Sequence, residues 1–588
     1  MSLPAGLPAG RNGRHRRHGL VGLIAVARGD TPGDLLFVNG RVVNTLTAEI
    51  EETDVVVFDG RVAGLGSGYS ARETVDLRGA YLLPAFINGH SHIESSHLWI
   101  AEYARAVVPR GVVGVVSDLH EIANVAGLPG IRAVLHAAAD LPLDLRLMAP
   151  SCVPATSLET SGRTLGPEEI RQLLEIEGAI GLGEMMDFPS VVAAESRVLD
   201  KLEAAGERAV DGHAPGLAGK ALNAYVAAGP RSDHESTTLE EGREKLRRGM
   251  WLMIREGTTE KNLAKLLPLV TDRTASRCLF VTDDRSAADL VSDGDVDAVV
   301  RKAIELGFDP IRAIQLATLN PALCFRLRDV GAIAPGYRAH LVVCDDLRRP
   351  VARRVYFDGR PVAEEGSPRF EAGAAVDPSL LHTVNLGPLS VDSFALPAKG
   401  SRHPIIEAVP GQILTGRRVE EVRVEGGRIV AEPERDILKL AVVERHRGSG
   451  RVGVALVSGF GLRRGALASS YAHDSHNIIV VGAADGDMLV AVQRIATMQG
   501  GLVAVADGEV LAALPLPVAG IMSTESAATV SHRGALLNAA ALSLGAIVPE
   551  PFAVLSFLAL PVIPSLKLTD IGLVDVDRGA LYDFAGLR

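Results

Sequence analysis

Cysteine is scarce in this chain of 588 residues: Cys152, Cys278, Cys324 and Cys344 lie far apart, and no two form a CxxC pair. That excludes a disulfide framework and a structural zinc knuckle, and it fits a reducing compartment, the cytoplasm. Basic excess is missing as well. A formal net charge of -11 leaves no global positive field for nucleic acid. Nor is any apolar run long enough to span a membrane. The longest, "FAVLSFLALPVIPSL" from Phe552, falls short of the roughly 18 residues required and is broken by Pro561 and Pro564. It reads as core.

What is present is the composition of a soluble globular protein, 47% hydrophobic and 22% charged. The length predicts about two to four domains. Residues 1–33, rich in Gly, Pro, Ala and Arg without periodicity, are expected to be a disordered tail. From Leu35 the chain turns to short strands. "LLFVNGRVVN" and "DVVVFDGRVAGLG" place the turn pairs Asn39-Gly40 and Asp59-Gly60 between β-branched runs, a strong hairpin signal. "GAIAPGYRAHLVVCDD" and "RRVYFDGRPVAEEG" have the same character much later. Residues 34–79 and 331–385 are therefore expected to pair into one small β-sandwich domain, with 80–330 as an insertion.

That insertion alternates short apolar strands with helical stretches, the pattern of a parallel sheet. Eight strand candidates follow in order: "YLLPAFINGH", "GVVGVVSDLHE", "LRLMAPSC", "AIGLGEMM", "RAVDGHAPG", "AAGPRSDHE", "MWLMIREG" and "RCLFVTDD". Eight repeats over roughly 250 residues predict an α/β fold, a closed (β/α)8 TIM-like barrel. Val296, Val299, Val300, Ala303 and Ile304 give a helix one apolar face, and Asp309-Pro310 starts another. Residues 386–588 read as a C-terminal α+β domain.

"PAFINGHSHIESS", residues 84–96, ends an apolar strand with His90, His92 and Glu94, and His97 follows. Side chains two apart on a strand share a side, so His90 and His92 can reach one metal. The alternative is a polar strand end without chemistry. A lone histidine at such a place is more often structural than catalytic. Here, however, polar residues recur at the C-terminal ends of successive strands: His120 with Glu121, then Glu184, His213, His234, and Asp283 with Asp284. In a barrel those ends converge on one face, where active sites are built. Imidazole and carboxylate ligands suit zinc, manganese or iron without selecting among them. His92-Ile93-Glu94 also meets half of the zinc deaminase signature, but the P-C-x-x-C half is absent.

The stretches "GHSHIESS", "DLHEIANV", "PSCVPATSLETSG", "GLGEMMDFP", "DGHAPGL", "SDHES", "MIREG", "TDDR", "SSYAHDSHNIIVVG" and "LPLPVAGIMS" together resemble the amidohydrolase superfamily and, within it, the bacterial type of adenine deaminase. The similarity runs from about Leu35 to the end. Asn88, Leu119 and Ala339-His340 depart from the family pattern, which often has Asp, Pro and an Ala-Asp pair there. The resemblance implies a metal-dependent enzyme, binuclear, with manganese or iron ahead of zinc. It implies that His90, His92 and Asp283 hold one metal, that His213 and His234 hold the second, and that Glu184 bridges them where many relatives use a carboxylated lysine. The reaction implied is attack of a metal-activated hydroxide on C6 of adenine, giving hypoxanthine and ammonia. Asp283 or Asp284 would take the proton, and Glu121 and His120 would contact the purine and move protons. The partners expected are adenine and water, with no nucleic acid and no membrane, in a cytoplasmic homodimer.

Other readings stay open at this point. A hydantoinase- or dihydroorotase-like hydrolase of cyclic amides, or a deaminase of another aminopurine, would use the same ligands, and a non-catalytic relative would have lost some of them. Arg255 and Glu256 are left off the catalytic residues, a structural ion pair at the rim being an equal reading of them. The run His473-Asp474-Ser475-His476-Asn477 is expected to be a polar loop satisfied by its own hydrogen bonds, ahead of a third metal site, and an approach of this run to the barrel mouth, in a substrate-side or structural role, stays open.

Overall fold

The computed structural model describes residues 13–373, 375–409 and 413–584, with side chains from residue 19 onward. Its centre is a barrel of eight parallel strands, β1 (Phe86–Asn88), β2 (Val112–Ser117), β3 (Asp144–Ala149), β4 (Ala179–Met185), β5 (Ala209–Gly212), β6 (Ser232–Asp233), β7 (Trp251–Arg255) and β8 (Cys278–Val281). β1 to β5 pair in order, and so do β6 to β8. Two links close the ring. Arg231 N–H donates to Val210 O at 3.0 Å between β5 and β6. Beyond β8 and β1, the two-residue strands Asp283–Asp284 and Ser91–His92 pair in parallel.

Alternation along the strands builds two layers of core. Val116, Met148, Trp251, Met253, Leu279 and Val281 form a cluster of their own inside the barrel. Their neighbours Val115, Leu147, Leu252, Ile254 and Phe280 face the surrounding helices. The helix Val296–Glu305 buries Val296, Val299, Val300 and Ala303, the apolar face its spacing predicts. Asp309 caps the helix Pro310–Leu316 by accepting from Arg312 N–H at 2.9 Å.

The flanking β-domain consists of a four-stranded and a seven-stranded sheet around Leu35, Phe37, Val55, Leu82, Leu341, Val343 and Tyr356. Tyr81–Pro84 belongs to it, pairing antiparallel with Leu341–Cys344, so the apolar stretch expected as one barrel strand is divided at Ala85 between two domains. At the other end the last strand of this domain is Ser367–Pro368, while Leu380 and Val384 pack with the C-terminal domain. Of the tail expected to be disordered, residues 1–12 lie outside the described residues. The rest is ordered: the helix Gly13–Ala27 lays Leu23 and Val26 against Leu36, Val56 and Ala63. The apolar run "LVGLIAVA" supplies that contact.

The C-terminal domain is an eight-stranded sheet reaching from Arg402–Ala408 to Glu509–Pro515. Its alternation is strict. Ala441, Val443, Ile478, Val480 and Val503 meet Met488, Val492 and Ile495 of the helix Asp485–Met498. Leu440, Val442, Ile479, Val481 and Leu502 face the opposite way and join the core that continues into the barrel around Trp99, Ile100 and Tyr103. The second domain is thus packed on the first through one continuous apolar layer. No helix of the described residues is long and apolar enough to cross a membrane.

Candidate active site

The barrel brings His90, His92, Glu184, His213, His234 and Asp283 into one buried cluster, each at most 5% exposed. His90 Nε2 and His92 Nε2 face each other at 3.2 Å. Asp283 Oδ1 meets them at 3.4 and 3.0 Å respectively. Glu184, at the end of β4, spans the gap to the other pair. Its Oε1 lies 3.2 Å from His92 Nε2, and its Oε2 lies 2.7 Å from His213 Nδ1 and 3.4 Å from His234 Nε2. Imidazole nitrogens and carboxylate oxygens converging so closely on buried side chains make a donor set that fits divalent cations.

Partners that the sequence did not single out fix the rings. His90 Nδ1 lies 2.9 Å from Asp211 Oδ2, which orients Nε2 toward the cluster. Asp211 is itself held by Gly212 N–H at 2.9 Å and by the Ser232 hydroxyl. Asp118 Oδ1 stands 3.5 Å from His92 Nδ1 and 3.0 Å from His120 Nδ1. Arg255, the last residue of β7, does not pair with Glu256. Its guanidinium donates to Glu235 Oε1 at 2.5 Å and to Asp283 Oδ2 at 2.6 Å, while Glu256 pairs with Lys302. Glu94 and His97, the other polar residues of the opening motif, hold backbone. Glu94 Oε1 accepts from Ile122 N–H at 3.2 Å, and His97 Nδ1 lies 3.3 Å from Ile521 O.

The two adjacent aspartates differ in environment. Asp283 has φ 58°, a left-handed turn that sends it and Asp284 in different directions. Burial alone would raise the Asp283 carboxyl, but Arg255 with His90 and His92 more than reverses this and holds it well below the usual range. Burial pushes Asp284 up to about 7, with His473 pulling the other way and Asp283 adding to the rise. Asp284 Oδ2 lies 3.8 Å from His473 Nε2.

A small chamber opens over the cluster, walled by His120, Glu260 and Asp284 from the barrel. Its remaining wall comes from the C-terminal half: His473, Asp474, Phe557, Leu560, Ile563 and Ile413. The apolar stretch from Phe552, expected to be plain core, therefore lines a cavity with part of its side chains. Lys567 braces this wall from behind, donating from Nζ to Ile413 O at 2.8 Å and Phe557 O at 3.0 Å. Burial brings its amine down to about 7.

His120 faces the chamber, as expected of a purine contact, whereas Glu121 does not. Its carboxylate is fully buried behind His120, with Oε1 2.8 Å from His473 Nδ1 and 3.2 Å from the Tyr471 hydroxyl, and Oε2 2.5 Å from His476 Nε2. Placed in the first turn of the helix His120–Ala138, it points out of the barrel mouth toward the C-terminal domain. The loop His473 to Asn477 is correspondingly not self-contained. His476 Nδ1 turns inward, accepting from Ala472 N–H at 3.1 Å, while Asn477 Nδ2 donates both to Ser475 Oγ at 3.3 Å and across to Thr160 O at 2.8 Å.

This arrangement is that of a metal-dependent hydrolase on a (β/α)8 barrel, and the chain's likeness to known proteins agrees. The Amidohydrolase family matches residues 81–365, and the Adenine deaminase C-terminal domain matches residues 412–580. A protein of Dehalococcoides mccartyi named adenine deaminase is 52% identical over 94% of this chain and 97% of its own length. Adenine deaminase 2 of Carboxydothermus hydrogenoformans is 48% identical over 94% of this chain and 97% of its own. The adenine deaminase of Archaeoglobus fulgidus is 48% identical over 95% of this chain and 97% of its own. The chain belongs to the amidohydrolase superfamily and, within it, to the adenine deaminase family.

Proposed function

We propose that the chamber hydrolyses adenine to hypoxanthine and ammonia. The observation that carries this reading is that the likeness to adenine deaminases runs through both regions that build the chamber: the barrel with its imidazole–carboxylate cluster, and the C-terminal domain that supplies His473 and Phe557. The same extent of likeness disfavours a hydrolase of cyclic amides.

His90, His92 and Asp283 would hold one divalent metal, His213 and His234 a second, and Glu184 would span them with its two oxygens. Such a pair supplies a water whose pKa falls from 15.7 toward about 7. Arg255 keeps the Asp283 carboxylate ionised and aimed at His90 and His92. The purine lies against His120 and the apolar wall of Phe557, Leu560 and Ile563, with C6 toward the cluster. Water adds at C6, the exocyclic C6–N bond breaks, and the amine leaves with the proton water gives up. Asp284 stands between Asp283 and His473, where it carries that proton to the departing nitrogen. His473, stacked on Phe557 with ring centroids 4.3 Å apart, backs Asp284 from the other side. The four unpaired cysteines suit the reducing cytoplasm, the compartment we assign.

The test is ammonia release and loss of adenine absorbance by protein stripped of metal and reloaded separately with manganese, iron or zinc. Turnover that requires metal, and that is lost together with bound metal in His90→Ala and Glu184→Gln, is the expected result. Absence of adenine turnover with every metal overturns the assignment.

A further inference from the structure

The ligand cluster is at most 5% exposed, so a substrate must pass a wall to reach it. One wall has a second cavity behind it. Asp284, His473 and Phe557 line the chamber on one side, and on the other they line a larger space between the barrel and the C-terminal helices. Asp284 is also more open than its neighbour, with 15% of its side chain exposed against 7% for Asp283.

The second cavity joins apolar faces to polar and charged edges. Leu502, Leu537 and Phe552 offer the apolar faces, Ser95, Thr258 and Asn538 place hydroxyl and amide groups at the edges, and Arg285 and Glu550 add one charge of each sign. The residues common to both spaces are Asp284 and the stacked rings of His473 and Phe557, so the partition is made with side chains. A rotation of one aromatic side chain would join the two rooms, whereas every wall made by barrel strands would require the sheet to part. Across the slot, Gly534 in the helix Ala527–Ser543 faces open space: a Cβ built there meets no atom within 4 Å.

The geometry points to this cavity as the antechamber through which the purine enters the buried site and the oxopurine product leaves, with the His473–Phe557 stack as its inner door. This rests on the adenine reading above and adds the route to it.

The experiment fills the slot without touching the chamber. Gly534→Ala, Gly534→Phe and Ala553→Phe are compared with the wild-type enzyme for kcat/KM on adenine, for metal content and melting temperature, and for hypoxanthine affinity by equilibrium dialysis. The expected result is graded. Gly534→Ala stays within twofold, whereas Gly534→Phe lowers kcat/KM tenfold or more with hypoxanthine Kd, metal content and Tm unchanged, because an obstructed path slows entry and exit alike. Ala553→Phe, on the opposite wall, repeats the loss and carries the test if the glycine variant fails to fold. Folded phenylalanine variants that keep wild-type kcat/KM overturn the antechamber. A changed hypoxanthine Kd also overturns it, since it places the effect in the chamber. Wild-type enzyme that does not deaminate adenine sinks the functional reading instead, and the two failures are thereby told apart.

Discussion

Glu121 of the barrel and His473 of the C-terminal domain meet at 2.8 Å, carboxylate to imidazole, with neither side chain more than 5% exposed. The contact couples the domain that carries the ligands to the domain that covers them. Because His473 also reaches toward Asp284, the Glu121 carboxylate acts on the chamber through that ring, besides standing 3.6 Å from His120 Nε2. Glu121→Gln and His473→Ala are therefore each expected to lower kcat by about 10²-fold or more, in the range of lost acid–base assistance. The double variant should be little worse than either one, since both remove the same relay. Steady-state kinetics of the four proteins in the cycle measure this, and full additivity would refute the relay.

Arg255 neutralises two buried carboxylates at once, Glu235 and Asp283. Arg255→Met leaves both buried carboxylates without their cation. In metal-stripped protein the expected cost is about 3–5 kcal/mol of stability, the usual penalty for breaking a buried pair from one side. Denaturant unfolding of the two stripped proteins gives the number, and a loss below 1 kcal/mol would show the guanidinium to be dispensable.

Asn88 stands where the family often has Asp, and the structure gives the local reason. Its Nδ2 donates to Thr282 Oγ1 at 2.6 Å and to Asp295 Oδ1 at 2.7 Å. An aspartate there would set two carboxylates against each other under β1. Asn88→Asp should cost about 1–3 kcal/mol, and Asp295→Asn introduced with it should recover most of the loss. Melting curves of the single and double variants decide the matter.

His340, another departure from the family pattern, makes the flanking β-domain sensitive to acid. Its Nδ1 accepts from Asp358 N–H at 3.1 Å, so the ring must be neutral there, and it stacks on Phe357 at 4.3 Å. Burial, with Arg338 beside it, lowers its pKa to about 4. The unfolded chain takes up the proton near the ordinary value of 6.5 and the folded chain does not until about 4. Stability is thus undiminished above pH 6.5 and declines between there and pH 4, by up to about 1.4 kcal/mol per pH unit. Replacing His340 by Leu should flatten that part of the stability profile measured between pH 7 and 4.5, and an unchanged slope would contradict it.

Much of this architecture is readable from residue order because its signals are local. The barrel strands are short apolar runs ending in polar residues, and His90 and His92 stand two apart just beyond such a run, so placement marks them without any knowledge of the fold. What escapes is whatever depends on the third dimension. Asp211 and Asp118 interrupt or end apolar segments as single acids and look no different from surface residues. An apolar stretch cannot declare whether its side chains fill a core or line a chamber, which hides Phe557, Leu560 and Ile563. Tyr81 to Asn88 is one apolar stretch in sequence, and only pairing with Leu341–Cys344 divides it. Glu121 misleads for a similar reason. Helical geometry turns it a full residue's rotation away from His120, out of the chamber and onto a partner from another domain.

The seam that closes the barrel is the pairing of Asp283 with Ser91 and of Asp284 with His92. Ring closure and ligand convergence are consequently one event in the life of the chain. A newly made polypeptide has no complete donor set until β8 has been synthesised and has docked beside β1, across the whole length of the barrel. With the ligands proposed above, an ion would bind only the closed barrel, since one left open at its seam lacks Asp283 beside His90 and His92, and binding would hold the seam shut.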